Sequence, residues 1–186
     1  MKTSAAALLF LATTFALSTS FAREGRTGAR AALQALPAHF AREVVRLSAD
    51  NGRPDPTRWY VLARNRSEAG LFVKNPLYSI TIADGQISEA KRFVDARQIF
   101  NRRNFINIPS VRIDSSVAFS IARNALGPAG QGMRSASYQL TQRGRAADPI
   151  WEVWAYGSSN RYLGVVKLSA RTGTVISTEK ARFPRL

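Results

Sequence analysis

Hydrophobic and polar positions alternate most regularly near the C-terminus. Ile150 to Tyr156 is dense in aromatic and β-branched residues, which suit a pleated, partly buried strand, and Pro149 stands at its edge, where a missing N–H is tolerated. A period of two puts Trp151, Val153 and Ala155 on one face and Glu152, Trp154 and Tyr156 on the other. The first set reads as core. Gly157-Ser-Ser-Asn turns the chain into Tyr162–Ser169, and Arg171-Thr-Gly173 turns it again into Thr174–Thr178, so an antiparallel meander is expected. Ser137–Gln142 adds a strand before it, joined by a turn through Arg143 and Arg145.

A helical period precedes that meander. Val117, Ala118, Ile121, Ala122 and Ala125 share one face, Asp114 or Ser115 caps the start, and Leu126-Gly-Pro stops the helix. An earlier helix is predicted over Pro37–Ala49, with Phe40, Val44 and Leu47 as its stripe, extended by Leu33 and Leu36 if it begins sooner. Asp50-Asn-Gly-Arg-Pro-Asp-Pro ends it.

The first half repeats the second in shortened form. Trp59, Val61 and Ala63 follow Asp55-Pro as Trp151, Val153 and Ala155 follow Asp148-Pro, and Leu77–Ser88 forms a hairpin about Asp84-Gly85. The pattern predicts an α+β protein of two similar modules. Each would be one helix on a small antiparallel β-meander, with the two sheets either packed face to face or joined edge to edge into one continuous sheet. The boundaries are 23–92 and 114–186, with a basic connector over 93–113. Within the connector, Asp95–Arg103 suits a short helix and Phe105–Ile113 an extended run containing Pro109.

Composition adds a compartment and a sign of charge. Lys2, the apolar run Ala5–Leu17 and small residues at Ser20 and Ala22 form a secretory leader with cleavage expected after Ala22. The run is too short to span a bilayer, and no later one approaches the roughly 18 apolar residues a membrane helix needs. An exported, periplasmic or secreted protein is expected. The absence of cysteine excludes disulfides, thiol catalysis and cysteine-ligated metal. Lysine and arginine outnumber Asp and Glu by 27 to 12, a formal net charge of +15, which favours anionic partners. Arg92, Arg97, Arg102, Arg103 and Arg112 concentrate charge in and immediately before the connector, either as a solvated linker or as a patch for phosphate or carboxylate.

Catalysis finds little support. His39 is the lone histidine and lacks ligand or nucleophile company nearby. Glu152 has no second carboxylate close in sequence, Ser158 and Ser159 lack a nucleophile-elbow context, and the Gly127–Gly132 stretch follows a helix instead of opening one. No metal, cofactor or catalytic residue is expected. The second sheet face is the better candidate for function. Tyr60 and Leu62 in one half, and Trp154, Tyr156 and Tyr162 in the other, alternate with Arg64, Arg143, Arg145 and Arg161. Such a face can anchor a protein, stack bases or sugars beside anionic groups, or simply pack between sheets.

The helix Ser116–Leu126, Pro149-Ile-Trp-Glu-Val and Val166-Lys-Leu-Ser-Ala-Arg-Thr-Gly-Thr-Val-Ile-Ser177 together resemble the PepSY family. That family shows a Pro-x-Tyr/Trp-x-Val strand and a strand ending Asp-x-x-Thr-Gly-x-Val; here Ser169 or Ala170 stands in place of the acidic residue. The resemblance covers the second half clearly and the first faintly. It implies tandem PepSY-like modules with a non-catalytic role, restraining a secreted peptidase in trans or binding and sensing in the envelope. The expected function is therefore protein binding through the outer sheet face, with electrostatic capture of an anionic polymer or envelope surface as the alternative.

Overall fold

The computed structural model describes residues 25–65, 67, 76–93 and 104–181; residues 1–22, expected to be a leader, and the expected helix Asp95–Arg103 lie outside them. Two short helices, α1 (Ala29–Gln34) and α2 (Ala38–Ala41), precede four strands: β1 (Val44–Gly52), β2 (Arg58–Arg64), β3 (Leu77–Ala83) and β4 (Gln86–Phe93). A 3-10 turn at Ile108–Ser110 leads to α3 (Ser115–Ala125) and α4 (Pro128–Gln131). Strands β5 (Ser135–Gln142), β6 (Pro149–Tyr156), β7 (Tyr162–Ser169) and β8 (Val175–Lys180) follow.

All eight strands form one antiparallel sheet in the order β4-β3-β2-β1-β5-β6-β7-β8. This overturns the expectation of two similar modules, each a helix on its own small meander. Among its described residues the first half has no helix of the expected length, only two helical pieces of six and four residues. Val44–Gly52 is a strand, not the second part of a helix over Pro37–Ala49. It pairs with β2 on one side and with β5 on the other, so the halves share a sheet and a single buried cluster and do not stack face to face.

The misread strand has a physical cause. Val44 and Leu47 stand three apart and both are buried, as a helix stripe would require. A β-bulge between Val44 and Arg46 inserts an extra residue and resets the alternation, so an i, i+3 pair faces one side of a strand. Beyond the bulge, Leu47 and Ala49 resume the period of two.

The core lies on the face that the helices cover. Trp59, Val61, Ala63, Trp151, Val153 and Ala155 are all buried there, as the alternation predicts. Trp59, Tyr138 and Trp151 pack with ring centroids 5.9 to 6.2 Å apart. Ala49 on the intervening β1 is paired with Tyr138, and its small side chain lets Trp59 reach across. Each indole N–H finds a carbonyl just ahead of a helix: Trp59 donates to Thr27 at 2.7 Å, before α1, and Trp151 to Ile113 at 2.9 Å, before α3.

Helix α3 presents Ala118 and Ala122 to the sheet, both fully buried, with Ile121 and Ala125 packed at the margin. Val117, expected on that face, is 46 % exposed, because the buried stripe runs through Ser115, Ala118 and Ala122 and Val117 lies about 100° around the helix from Ala118. Asp114 is the N-cap, accepting from the Ser115 amide at 2.8 Å. Gly164 is required where β7 meets β8. Its φ is +152°, and a Cβ there would come within 2.4 Å of the Glu179 carbonyl oxygen.

Trp151→Ala should lower unfolding free energy by about 3–5 kcal/mol, the usual cost of deleting a buried aromatic. Val117→Ala should change it by less than about 0.5 kcal/mol. Urea denaturation of both variants checks the assignment, and a large loss from Val117→Ala would contradict the placement of α3.

Candidate functional site

The helix-free face of the sheet carries most of the side chains singled out in the sequence, but it does not gather them. A row of directly opposed residues crosses it: Glu89, Thr81, Tyr60, Ser48, Gln139, Glu152, Lys167 and Ser177. The row is polar apart from Tyr60, and Lys167 pairs with Glu152 at 3.2 Å. Trp154 lies in the next row between Ser137 and Val165. Tyr156 and Tyr162 face each other with ring centroids 5.9 Å apart. Tyr162 is 39 % exposed and Tyr60 42 %. Burial, then Glu179 and Tyr156, hold the Tyr162 phenol above its ordinary pKa.

Trp154, Tyr156, Tyr162 and the exposed Arg161 therefore cluster where β6 ends and β7 begins. Tyr60, three strands away on β2, is separated from them by roughly 14 Å at the usual strand spacing. Arg143 and Arg145 are exposed in the β5–β6 turn, at the opposite end of β6, roughly 23 Å away at the usual rise per residue. Arg64 is not on an open surface at all. It is buried against Glu43 in a two-pronged ion pair, with its second amino group 2.7 Å from Oε1, and its guanidinium lies over the Phe105 ring.

The basic connector is likewise dispersed. Arg92 is exposed on β4 at one margin of the sheet. Arg112 is exposed beside the other half, its amide bonded to Ala170 just after β7. Arg97, Arg102 and Arg103 lie outside the described residues. His39 is exposed beside Phe40. Among the described residues no group of three His, Cys, Asp or Glu side chains is placed to hold a metal ion.

A different site emerges at the end of the sheet where β1, β2, β5, β6 and β7 all meet their turns. A cleft of about 820 Å³ opens there, lined by Arg26, Arg53 and Arg134, by Asp55, and by the Ser158–Asn160 turn. Both hairpin walls are firmly set. Asn51 has φ 56°, and Ser159 and Asn160 have φ 53° and 59°, the successive left-handed residues of a tight hairpin turn, closed by Arg161 N–H donating to the Ser158 carbonyl at 3.2 Å. The β1–β2 wall is pinned from below by Tyr138, whose hydroxyl donates to the Pro54 carbonyl at 2.5 Å. Gly52 is needed for this approach, since a Cβ would lie 2.5 Å from the Tyr138 ring.

Three arginines and, among the described residues, one carboxylate line this cleft, and that carboxylate accepts a hydrogen bond: Asp55 accepts from the Ser115 hydroxyl at 2.6 Å. Arg26 donates to the Arg53 carbonyl, a bond that leaves its charge uncompensated. None of the three arginines forms an ion pair among the described residues. Residue identity alone could not show this, because Arg26, Arg53, Arg134 and Ser158 come from four separated segments. The available signal was narrower: the turn residues of Asp50–Pro56 and Gly157–Asn160 mark sheet ends, where such segments converge.

Comparison with protein-family models, with curated proteins and with solved structures found no match.

Burial, reinforced by the Asp55 charge, raises the Tyr138 pKa above its ordinary value of 10.0. A phenol whose folded pKa is raised contributes stability in full below the unfolded value and loses it as pH climbs past that value. Stability should fall above about pH 10. Tyr138→Phe should be about 1 kcal/mol less stable at neutral pH through the lost hydrogen bond, and the gap to the native protein should narrow in alkali. Denaturant titrations at pH 7 and pH 11 test this, and a gap that widens with pH would refute it.

Proposed function

We propose that this is an exported, non-catalytic module that binds anionic partners, a charged polymer or the envelope surface, chiefly by electrostatics. One observation carries the reading: most of the described carboxylates have a partner within the fold, whereas most of the described arginines form no ion pair. Glu43, Glu152, Asp148 and Glu89 each pair with a cation. Asp114 and Asp84 accept backbone amides, and Asp55 accepts the Ser115 hydroxyl. By contrast, Arg42, Arg46, Arg53, Arg58, Arg112 and Arg134 are exposed with no ion pair among the described residues. The surplus charge in the sequence thus becomes an outward-facing positive field. The resemblance of 114–186 to PepSY modules supports a non-catalytic role.

Protein docking on the helix-free face remains a second reading, favoured by the Trp154, Tyr156 and Tyr162 group beside Arg161. Aromatic and arginine side chains are common anchors at protein interfaces. It ranks second because Tyr60, Arg143 and Arg145 lie too far from that group to contribute to one compact anchor.

Binding to heparin, used as a model polyanion, should weaken at least about tenfold between 50 and 200 mM salt, since counterions are released from the polymer. Trp154→Ala should leave it unchanged. Failure to bind at 50 mM salt would sink the electrostatic reading. Salt-resistant binding abolished by Trp154→Ala would replace it with an aromatic interface.

A further inference from the structure

The cleft at the sheet end is more specific than a general basic surface. We propose that it is a binding site for a polyol carrying two or more phosphate groups, a phosphorylated saccharide in the simplest case. The inference rests on the anionic-partner reading and adds a location and a ligand class to it.

Charge selects the anion. Arg26, Arg53 and Arg134 line one cleft in which, among the described residues, Asp55 is the one carboxylate, and it accepts the Ser115 hydroxyl. Guanidinium is a planar fork that meets two oxygens at once. A carboxylate offers only two oxygens, so three arginines lining one cleft are better matched by phosphate, with three terminal oxygens and a higher charge. The space selects the rest of the ligand. At about 820 Å³, the cleft is within the range of sites that hold whole small molecules, and a lone phosphate would fill little of it.

The remaining lining excludes the main competitors. Thr57, Ser135, Ser158 and Asn160 supply hydroxyl and amide groups, and among the described residues no aromatic or long aliphatic side chain lines the walls. Recognition of single-stranded nucleic acid relies on aromatic platforms for the bases, and a lipid chain needs apolar walls. A hydroxyl-rich ligand suits donors and acceptors of this kind. The backbone of the walls is also set in advance by the left-handed turn residues and by Tyr138 under Pro54, so the ordering cost of binding falls on the arginine side chains.

Calorimetry with glucose 1,6-bisphosphate as the probe, alongside glucose and inorganic phosphate, tests the site on the intact protein. The bisphosphate should bind one-to-one and more tightly than inorganic phosphate, with no detectable heat from glucose. The double variant R53Q/R134Q should weaken it by at least about tenfold, as expected for loss of charge-assisted contacts. R143Q/R145Q removes the same charge at the far end of β6 and should change it less than about twofold, the residual effect of a distant screened charge. An unchanged melting temperature in both variants excludes misfolding. Equal weakening by the two double variants, or no bisphosphate binding while heparin still binds, would overturn the cleft and leave the electrostatic reading standing. Loss of both ligands in the native protein would overturn both.

Discussion

The structure depends on a pair of buried indoles that must each find a hydrogen-bond acceptor. Trp59 and Trp151 lie side by side beneath the helices, and an indole N–H left unpaired there would cost about 1–3 kcal/mol. Each donates to the carbonyl of a residue just before a helix, Thr27 or Ile113. The two bonds fix where α1 and α3 begin over the sheet. They also bring the two helix starts together, and those starts satisfy one another. The Ala29 amide donates to the Ser115 hydroxyl at 3.2 Å, and the Arg30 amide to Asp114 at 3.2 Å. The short helix α1 has no side-chain cap of its own; its first amides are capped by the N-terminus of the other helix.

That arrangement explains why one sheet forms instead of two. The indoles and Tyr138 constitute a shared aromatic centre, spanning β2, β5 and β6 over the small Ala49. Neither half could bury it alone. Pairing β1 with β5 also removes two strand edges that would otherwise be left open. The Asp55 to Ser115 bond then ties the β1–β2 turn to the start of α3. One wall of the cleft is thereby braced by the same residues that hold the halves together.

The strands with strict alternation were legible in the sequence. Trp151, Val153 and Ala155, and their counterparts Trp59, Val61 and Ala63, point inward as their period requires, and Asp114 caps α3. Legibility failed at β1, because a bulge gives a strand the spacing of a helix. It failed again at the level of assembly: periodicity specifies which face is buried, and says nothing about whether two meanders pair through their edges. The aromatic and arginine candidates show the same limit. Trp154 and Tyr156 share a face by alternation, whereas Arg143 and Tyr156 lie at opposite ends of β6. The cleft was least legible, since its arginines meet only after the first turn of each half has been folded against the second half's hairpin.

The chemistry of the surface charge narrows how the protein can be regulated. Its cations are almost all guanidinium groups, which stay protonated throughout the accessible pH range. Its one histidine, His39, is exposed and lies outside the cleft. Most of the described carboxylates already accept a hydrogen bond or an ion pair inside the fold. Ionic strength remains the effective control, because screening acts on exposed charges whatever their pKa. An arginine-rich surface of this kind keeps its own charge as proton concentration changes and loses its reach as salt is added.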